Sequence, residues 1–104
     1  MKDLSTYPVW TAVITPMNAD GSVDYDSLKS VLQDQAKAGN AITILGSTGE
    51  ALNIDDSERK QILEFAIGLK LDVPMMVGVG GINLNTQLAW IDYLNTLEVD
   101  NYLL

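Results

Sequence analysis

The sequence predicts an α/β fold assembled from alternating strand–helix units. Apolar, β-branched runs begin near residues 9, 41, 73 and 101, and intervals of roughly 30 residues match the length of one strand–helix unit. Between the runs, apolar residues recur at three- and four-residue steps behind capping residues, as amphipathic helices require. Strands alternating with helices in this way build parallel sheets through right-handed crossovers.

The elements follow in order. Val9-Trp10-Thr11-Ala12-Val13-Ile14-Thr15 is the first strand, apolar or β-branched nearly throughout as a strand covered on both faces should be, and Pro16 ends it. Asn18 to Gly21 reads as a turn. Asp24 is placed to cap the first helix, Leu28, Val31, Leu32 and Gln35-Ala36 share one face of it, and Gly39-Asn40 stops it. Ala41 to Leu45 is the second strand. After the turn Gly46-Ser47-Thr48-Gly49-Glu50 comes a second helix, where Asp55-Asp56-Ser57-Glu58 has the capping-box spacing and Ile62, Phe65, Ala66 and Leu69 form the buried stripe. Val73 to Val79 is the third strand, entered through Pro74 and left through Gly78, Gly80 and Gly81. Asn85 is the expected cap of a third helix carrying Leu88, Ile91, Leu94 and Leu97. Asn101-Tyr102-Leu103-Leu104 opens a fourth strand, inside which the chain is expected to stop. Residues 1–104 form a single portion with no linker, low-complexity segment or second domain.

Composition excludes several function classes. With 104 residues, 47% of them hydrophobic, and three prolines, the chain is globular rather than disordered and makes at most one small domain. The net charge of −8, with Lys2, Lys29, Lys37, Arg59, Lys60 and Lys70 scattered, offers no stripe to neutralise phosphates, so no nucleic-acid partner is expected. Without cysteine there are no disulfides or thiolate metal sites, and without histidine no imidazole ligand or neutral-pH base, so no metal is expected. No apolar run approaches the roughly 20 residues that span a bilayer. The amino terminus shows no signal-peptide pattern, and a cytoplasmic chain with no membrane partner is expected.

Two architectures accept the alternation: an open doubly wound sheet of four strands, or the first half of an eightfold barrel of about 250 residues. In both, ligands sit at the carboxyl ends of the strands, where Thr15-Pro16, Gly46 to Glu50 and Gly78 to Gly81 fall. Ser47 and Thr48 each offer a backbone N–H and a hydroxyl to a carboxylate or phosphate, and Gly46 and Gly49 are read as letting the backbone turn and approach a ligand. Recognition of a small acid is the chemistry that follows. The alternative is a Ser-Thr turn whose hydroxyls cap only their own backbone.

Three segments carry a family resemblance. Thr11-Ala12-Val13-Ile14-Thr15-Pro16-Met17, then Gly46-Ser47-Thr48-Gly49-Glu50, then Val73-Pro74 leading to Gly78-Val79-Gly80, agree in order and spacing with the opening of the dihydrodipicolinate synthase/N-acetylneuraminate lyase family. The chain resembles that family over essentially its whole length. The resemblance implies a TIM (β/α)8 barrel, of which this would be roughly the first half: three strand–helix units plus the start of a fourth strand. It also implies a homo-oligomeric, pyruvate-dependent aldolase-type lyase that works through a lysine Schiff base and needs no separate cofactor. Ser47 and Thr48 would then hold the pyruvate carboxylate, and Ser47, in the first hydroxyl position, would also have a catalytic part in a proton relay with tyrosines.

Other residues are weighed against the same resemblance. Glu50 is read as structural, bonding neighbouring turns, because a second carboxylate beside an anionic substrate is unfavourable. The stretch Gly78 to Thr86 is longer than the Gly-Thr-Gly stretch of the family, which leaves Asn83 unassigned. Lys29, Lys37, Lys60 and Lys70 fall on helices or their ends and Lys2 in the tail, so none is placed to be the Schiff-base amine. The family's tyrosines begin beyond Leu104, and Tyr102, Trp10 and Trp90 are read as core residues. The chain alone is therefore expected to be inactive and, with open sheet edges, to pair with itself or aggregate.

Among the activities implied, condensation of pyruvate with aspartate semialdehyde on the diaminopimelate route to lysine is favoured by Ala12 to Met17. Cleavage of neuraminate or another keto sugar acid is favoured by Gly46 to Ala51. A non-catalytic half-barrel that binds a small acid is the third reading. Lysine-inhibited members of the family follow the hydroxyl motif with Ser-Ala, whereas Ala51-Leu52-Asn53-Ile54 follows here, so lysine feedback is expected to be weak or absent.

Overall fold

In the computed structural model, which describes residues 4–81, 83–97, 99 and 101–103, strands and helices alternate as the sequence predicts. The elements are β1 (Trp10–Ala12), α1 (Tyr25–Lys37), β2 (Ala41–Ile44), α2 (Asp56–Gly68), β3 (Met75–Gly78), α3 (Leu84–Leu94) and β4 (Asn101–Leu103). Leu104 and Lys2 lie outside the described residues.

Strand order decides between the two architectures. All three pairings are parallel and the sheet runs β1-β2-β3-β4 with no reversal. A doubly wound sheet reverses its order at a switch point and so gains helices on both faces. Right-handed crossovers that always step in the same direction put every helix on one face, and the other face is left for a barrel interior. Burial agrees with this. Ile42, Ile44, Met75 and Val77, which share the helix-covered face through the registers Ile42↔Met75 and Ile44↔Val77, are all buried. On the opposite face Ala12 is exposed, and Ile14 and Leu103 keep 54% and 43% of their surface. The fold is the opening part of a (β/α)8 barrel.

Between the sheet and the helices lies one core, in which Leu28 and Leu32 of α1, Ile62, Leu63 and Ala66 of α2, and Trp90 and Leu94 of α3 meet the strand residues. Each large apolar side chain buried there contributes about 1.5–3 kcal/mol. The α2 stripe turns slightly from the expected one: Leu63 is buried, while Phe65 and Leu69 pack at its border. Phe65 meets Tyr25 edge-on there at 5.0 Å. In α3, Trp90 takes the buried place and Leu88 is half exposed, because the indole Nε1 reaches the Gly78 carbonyl at 3.0 Å and draws that helix face to the sheet. Tyr102 packs against the core as expected and donates its hydroxyl to Asn95.

Caps follow local hydrogen-bond geometry. Asp24 caps α1, accepting from the Ser27 hydroxyl at 2.6 Å and the Ser27 N–H at 3.1 Å, and these bonds hold its carboxyl below the ordinary range. Gly39, at φ +77°, ends the helix in the left-handed region and donates to the Ala36 carbonyl. For α3 the cap is Asn83, not Asn85: its side chain accepts from the Thr86 N–H at 3.1 Å, and the helix starts two residues earlier than the sequence pattern suggests. At α2, Asp55 sits at the cap position but its side chain makes no cap bond, and Asp56 pairs with Arg59 instead.

The strands are shorter than their apolar runs. The β2 partner is only four residues long, which limits the ladder. Its flanks still bond: the Val13 N–H donates to the Thr43 carbonyl at 3.0 Å and the Val79 N–H to the Leu103 carbonyl at 2.8 Å. Among the described residues, no helix is long and apolar enough to cross a membrane.

Candidate functional site

The carboxyl end of β2 bends at once. Leu45 is buried yet has φ 57°, and Glu50 has φ 58°, so the left-handed residues of the turn are not its glycines. Non-glycine residues in this region carry roughly 1–3 kcal/mol of backbone strain, which the packing around them must hold. Between them, the Glu50 N–H donates to the Ser47 carbonyl at 3.0 Å and the Ala51 N–H to the Gly46 carbonyl at 3.3 Å, leading into a short 3-10 turn over Ala51–Asn53.

Within this frame Ser47 and Thr48 are both exposed. Among the described residues, neither their N–H groups nor their hydroxyls have a hydrogen-bond partner. The hydroxyls therefore do not cap their own backbone, and four donors stand open at the strand ends. Ser47 lines a cavity of about 260 Å³ together with Leu45, Gly46, Ala51, Gly78 and Leu103. Thr48 is not part of that wall. The cavity lies just under the roughly 300–1,000 Å³ of sites for drug-sized ligands, a size suited to a small acid.

Two glycines sit at close approach, and one of them is obligatory. A Cβ on Gly78 would lie 2.2 Å from the Leu45 carbonyl oxygen, so only glycine lets β3 pass the end of β2 at this distance. At Gly49 a Cβ would meet the Thr15 hydroxyl at 3.2 Å and the Val13 carbonyl and Leu45 N–H at 3.3 Å. Gly46, by contrast, has room: its nearest neighbour would be the Thr43 methyl at 3.9 Å. The expectation that Gly46 supplies conformational freedom to the turn is thus corrected, since that freedom is used at Leu45 and Glu50.

Glu50 also departs from its reading. Its side chain is exposed and makes no cap bond, so it does not tie neighbouring turns together among the described residues. That work falls to Thr15, a residue the sequence reading placed at the strand end without a role: it is 5% exposed and donates its hydroxyl to the Gly49 carbonyl at 2.7 Å. The end of β3 is held in a similar manner by Trp90 on the Gly78 carbonyl and by Gln87 on the Val79 carbonyl at 3.3 Å. A hydroxyl residue directly before Pro16 was the available signal for Thr15; nothing local marks Gln87.

Behind the 3-10 turn lies a second cavity of about 250 Å³, lined among others by Leu52, Arg59, Asn83, Gln87 and Trp90, with no carboxylate in its wall among the described residues. The Arg59 guanidinium stands 5.1 Å from the centre of the Trp90 ring. The described lysines line neither cavity. Lys29, Lys37, Lys60 and Lys70 are exposed; Lys60 lies over the Tyr93 ring, and Lys37 and Lys70 flank a shallow hollow beside Asp72.

Comparison with known proteins places this geometry in context. The Dihydrodipicolinate synthetase family matches residues 6–104. A 4-hydroxy-tetrahydrodipicolinate synthase of Francisella philomiragia is 47% identical over 95 residues, covering 91% of this chain and 32% of its own length. The synthase of Wolbachia pipientis wMel is 43% identical over 97 residues, covering 92% and 33%. Among solved structures, a prophage protein of the dihydrodipicolinic acid synthase family from E. coli K12, in complex with pyruvate, is similar with a TM-score of 0.84 and 30% identity, over 90% of this chain and 32% of that one. The N-acetylneuraminate lyase of Proteus mirabilis, at 24% identity, has the same fold with a TM-score of 0.84 over 90% and 32% of the two chains. The chain spans about a third of the length of the curated relatives it matches.

Proposed function

Because this chain belongs to the dihydrodipicolinate synthetase family, we propose that residues 1–104 are the amino-terminal portion of the barrel of a 4-hydroxy-tetrahydrodipicolinate synthase, a cytoplasmic homo-oligomer. The observation that carries this reading is the set of four open donors of Ser47 and Thr48 at the strand ends, with Ser47 on the wall of a cavity sized for a small acid. The names of the curated relatives support the synthase, and the pyruvate complex of the prophage relative supports the keto acid.

In this reading the turn receives the carboxylate of pyruvate. Hydrogen bonds to a charged acceptor contribute about 1.5–3 kcal/mol each, so two hydroxyls and two N–H groups suffice to orient a three-carbon acid. A lysine from the remainder of the protein attacks the keto carbon. A C–N bond forms, water leaves, and the proton that converts the carbinol oxygen into water has to be delivered to it. The Ser47 hydroxyl is the group of this chain that relays it, with tyrosines supplied by the remainder. The bound pyruvate then adds to aspartate semialdehyde, and no separate cofactor takes part.

Ser47→Ala and Thr48→Val in the full-length protein test the reading. Each is expected to lower kcat/KM for pyruvate by roughly one to two orders of magnitude. Thr48→Val should act mainly through KM, whereas Ser47→Ala should lower kcat as well. Parental kcat/KM in both variants would contradict it.

Lysine inhibition is expected to be weak. Ala51 and Leu52 offer no polar side chain to an amino acid, and among the described residues the adjoining cavity presents the Arg59 guanidinium and no carboxylate to an ammonium group. Initial rates at rising lysine should stay level into the millimolar range; half-inhibition at micromolar lysine would show otherwise.

A further inference from the structure

Thr15 is buried, polar and 32 residues before Ser47, yet it holds the turn on which Ser47 sits. We propose that Thr15 is the positioning residue of the carboxylate-binding turn, acting through its hydrogen bond to the Gly49 carbonyl. The inference rests on the reading of Ser47 and Thr48 as the pyruvate-carboxylate site.

The geometry makes one continuous latch. The Pro16 carbonyl accepts the Asp24 N–H at 2.9 Å, which ties the segment after β1 to the cap of α1. Proline also fixes its own φ and restricts the residue before it, so the Thr15 backbone has few alternatives. From there the hydroxyl reaches the Gly49 carbonyl at 2.7 Å, at the far end of the turn from Leu45. Gly49 is itself buried, packed so tightly beneath Thr15 and Val13 that no Cβ fits without displacement.

Without the hydroxyl, the Gly49 carbonyl would be left in a buried place without that partner, a condition folded proteins avoid. The turn would relax by rotating the peptide planes between Leu45 and Glu50, the same planes that aim the Ser47 and Thr48 N–H groups. Small misplacements of substrate-holding groups cost far more in turnover than in stability. Thr15 touches no substrate in this account. It decides where the donors point.

The test compares Thr15→Ser, which keeps a hydroxyl, with Thr15→Cys, which like Ser lacks the methyl but puts a weakly donating thiol in the hydroxyl's place. Both are made in the full-length protein, beside the control Thr11→Val. Thr11 lies on β1, four residues before Thr15, and its hydroxyl donates to the Gln35 side chain of α1 at 2.8 Å rather than to the turn. Two readouts are taken: KM and kcat for pyruvate, and amide hydrogen exchange of Glu50 and Ala51, whose N–H groups bond within the turn. Thr15→Cys is expected to raise KM and to speed exchange at both amides by about tenfold each. Thr15→Ser and Thr11→Val should keep parental values in both.

Exchange at Glu50 and Ala51 that stays parental in Thr15→Cys, or that rises equally in Thr11→Val, overturns the latch. Faster exchange with parental KM overturns the positioning role. A parental protein that shows no turnover of pyruvate would instead defeat the functional reading, with the latch still decided by exchange.

Discussion

Gly78→Ala is expected to damage the fold and the site together. The added Cβ would lie 2.2 Å from the Leu45 carbonyl oxygen and 2.9 Å from its carbon, both backbone atoms with no flexible end to yield. To make room, the end of β3 has to move away from β2, against the register Ile44↔Val77 and the Trp90 bond to the Gly78 carbonyl. Overpacking of this sort costs about 3 kcal/mol. In the full-length protein, urea unfolding should show that loss, and KM for pyruvate should rise because Gly78 and Ser47 line the same cavity. Gly46→Ala is the matched comparison: its Cβ would find the nearest atom at 3.9 Å, and its effect on stability should stay within about 0.5 kcal/mol. If Gly78→Ala unfolded at the parental urea concentration, the close passage of β3 behind the turn would be wrong.

The glycines also show which parts of the site were legible in the sequence. Two hydroxyl residues between glycines, after a buried strand, mark a candidate anion-binding turn from residue type alone, and in the structure Ser47 and Thr48 are exposed there without partners among the described residues. What the glycines do was not legible. Gly78 is required by Leu45, and Gly49 packs tightly against Thr15 and Val13, neighbours brought in by the folding of other strands. A residue's own sequence context carries no trace of such contacts. The same holds for Thr15, whose partner Gly49 is 34 residues away.

Fold class was legible because alternation of strand and helix patterns is a local signal. Strand order was not, since pairing joins residues roughly 30 apart and either winding uses the same units. The sheet order β1-β2-β3-β4 supplied that choice. Helix starts were legible only where one candidate cap was available. Asp24 was found at once, whereas Asn83 and Asn85 both suit a cap by type, and only Asn83 has its side chain on the Thr86 N–H. Leu88 likewise fits the helical period, yet the Trp90 indole, through its bond to Gly78, sets which face of α3 is buried.

The largest effect expected of any experiment concerns the nucleophile. In the proposed reading, a Schiff-base lysine would have to stand at the keto carbon of an acid held by Ser47 and Thr48, in surroundings that favour its neutral amine. Lys29, Lys37, Lys60 and Lys70 are exposed on helices or just past their ends, away from the cavity that Ser47 lines. A chain of residues 1–104 alone should therefore form no borohydride-stable adduct with pyruvate, while the full-length protein should be trapped to near completion. The difference is all or none, larger than any single substitution in the turn can produce.

Peptide mapping of that adduct tests the account most directly. After incubation of the full-length protein with pyruvate and borohydride, digestion and mass spectrometry should locate the reduced adduct on a lysine outside residues 1–104, with the yield lowered by Thr48→Val. An adduct on Lys2, Lys29, Lys37, Lys60 or Lys70, or no adduct at all, would contradict the claim that this chain supplies the carboxylate-binding turn to a nucleophile carried elsewhere.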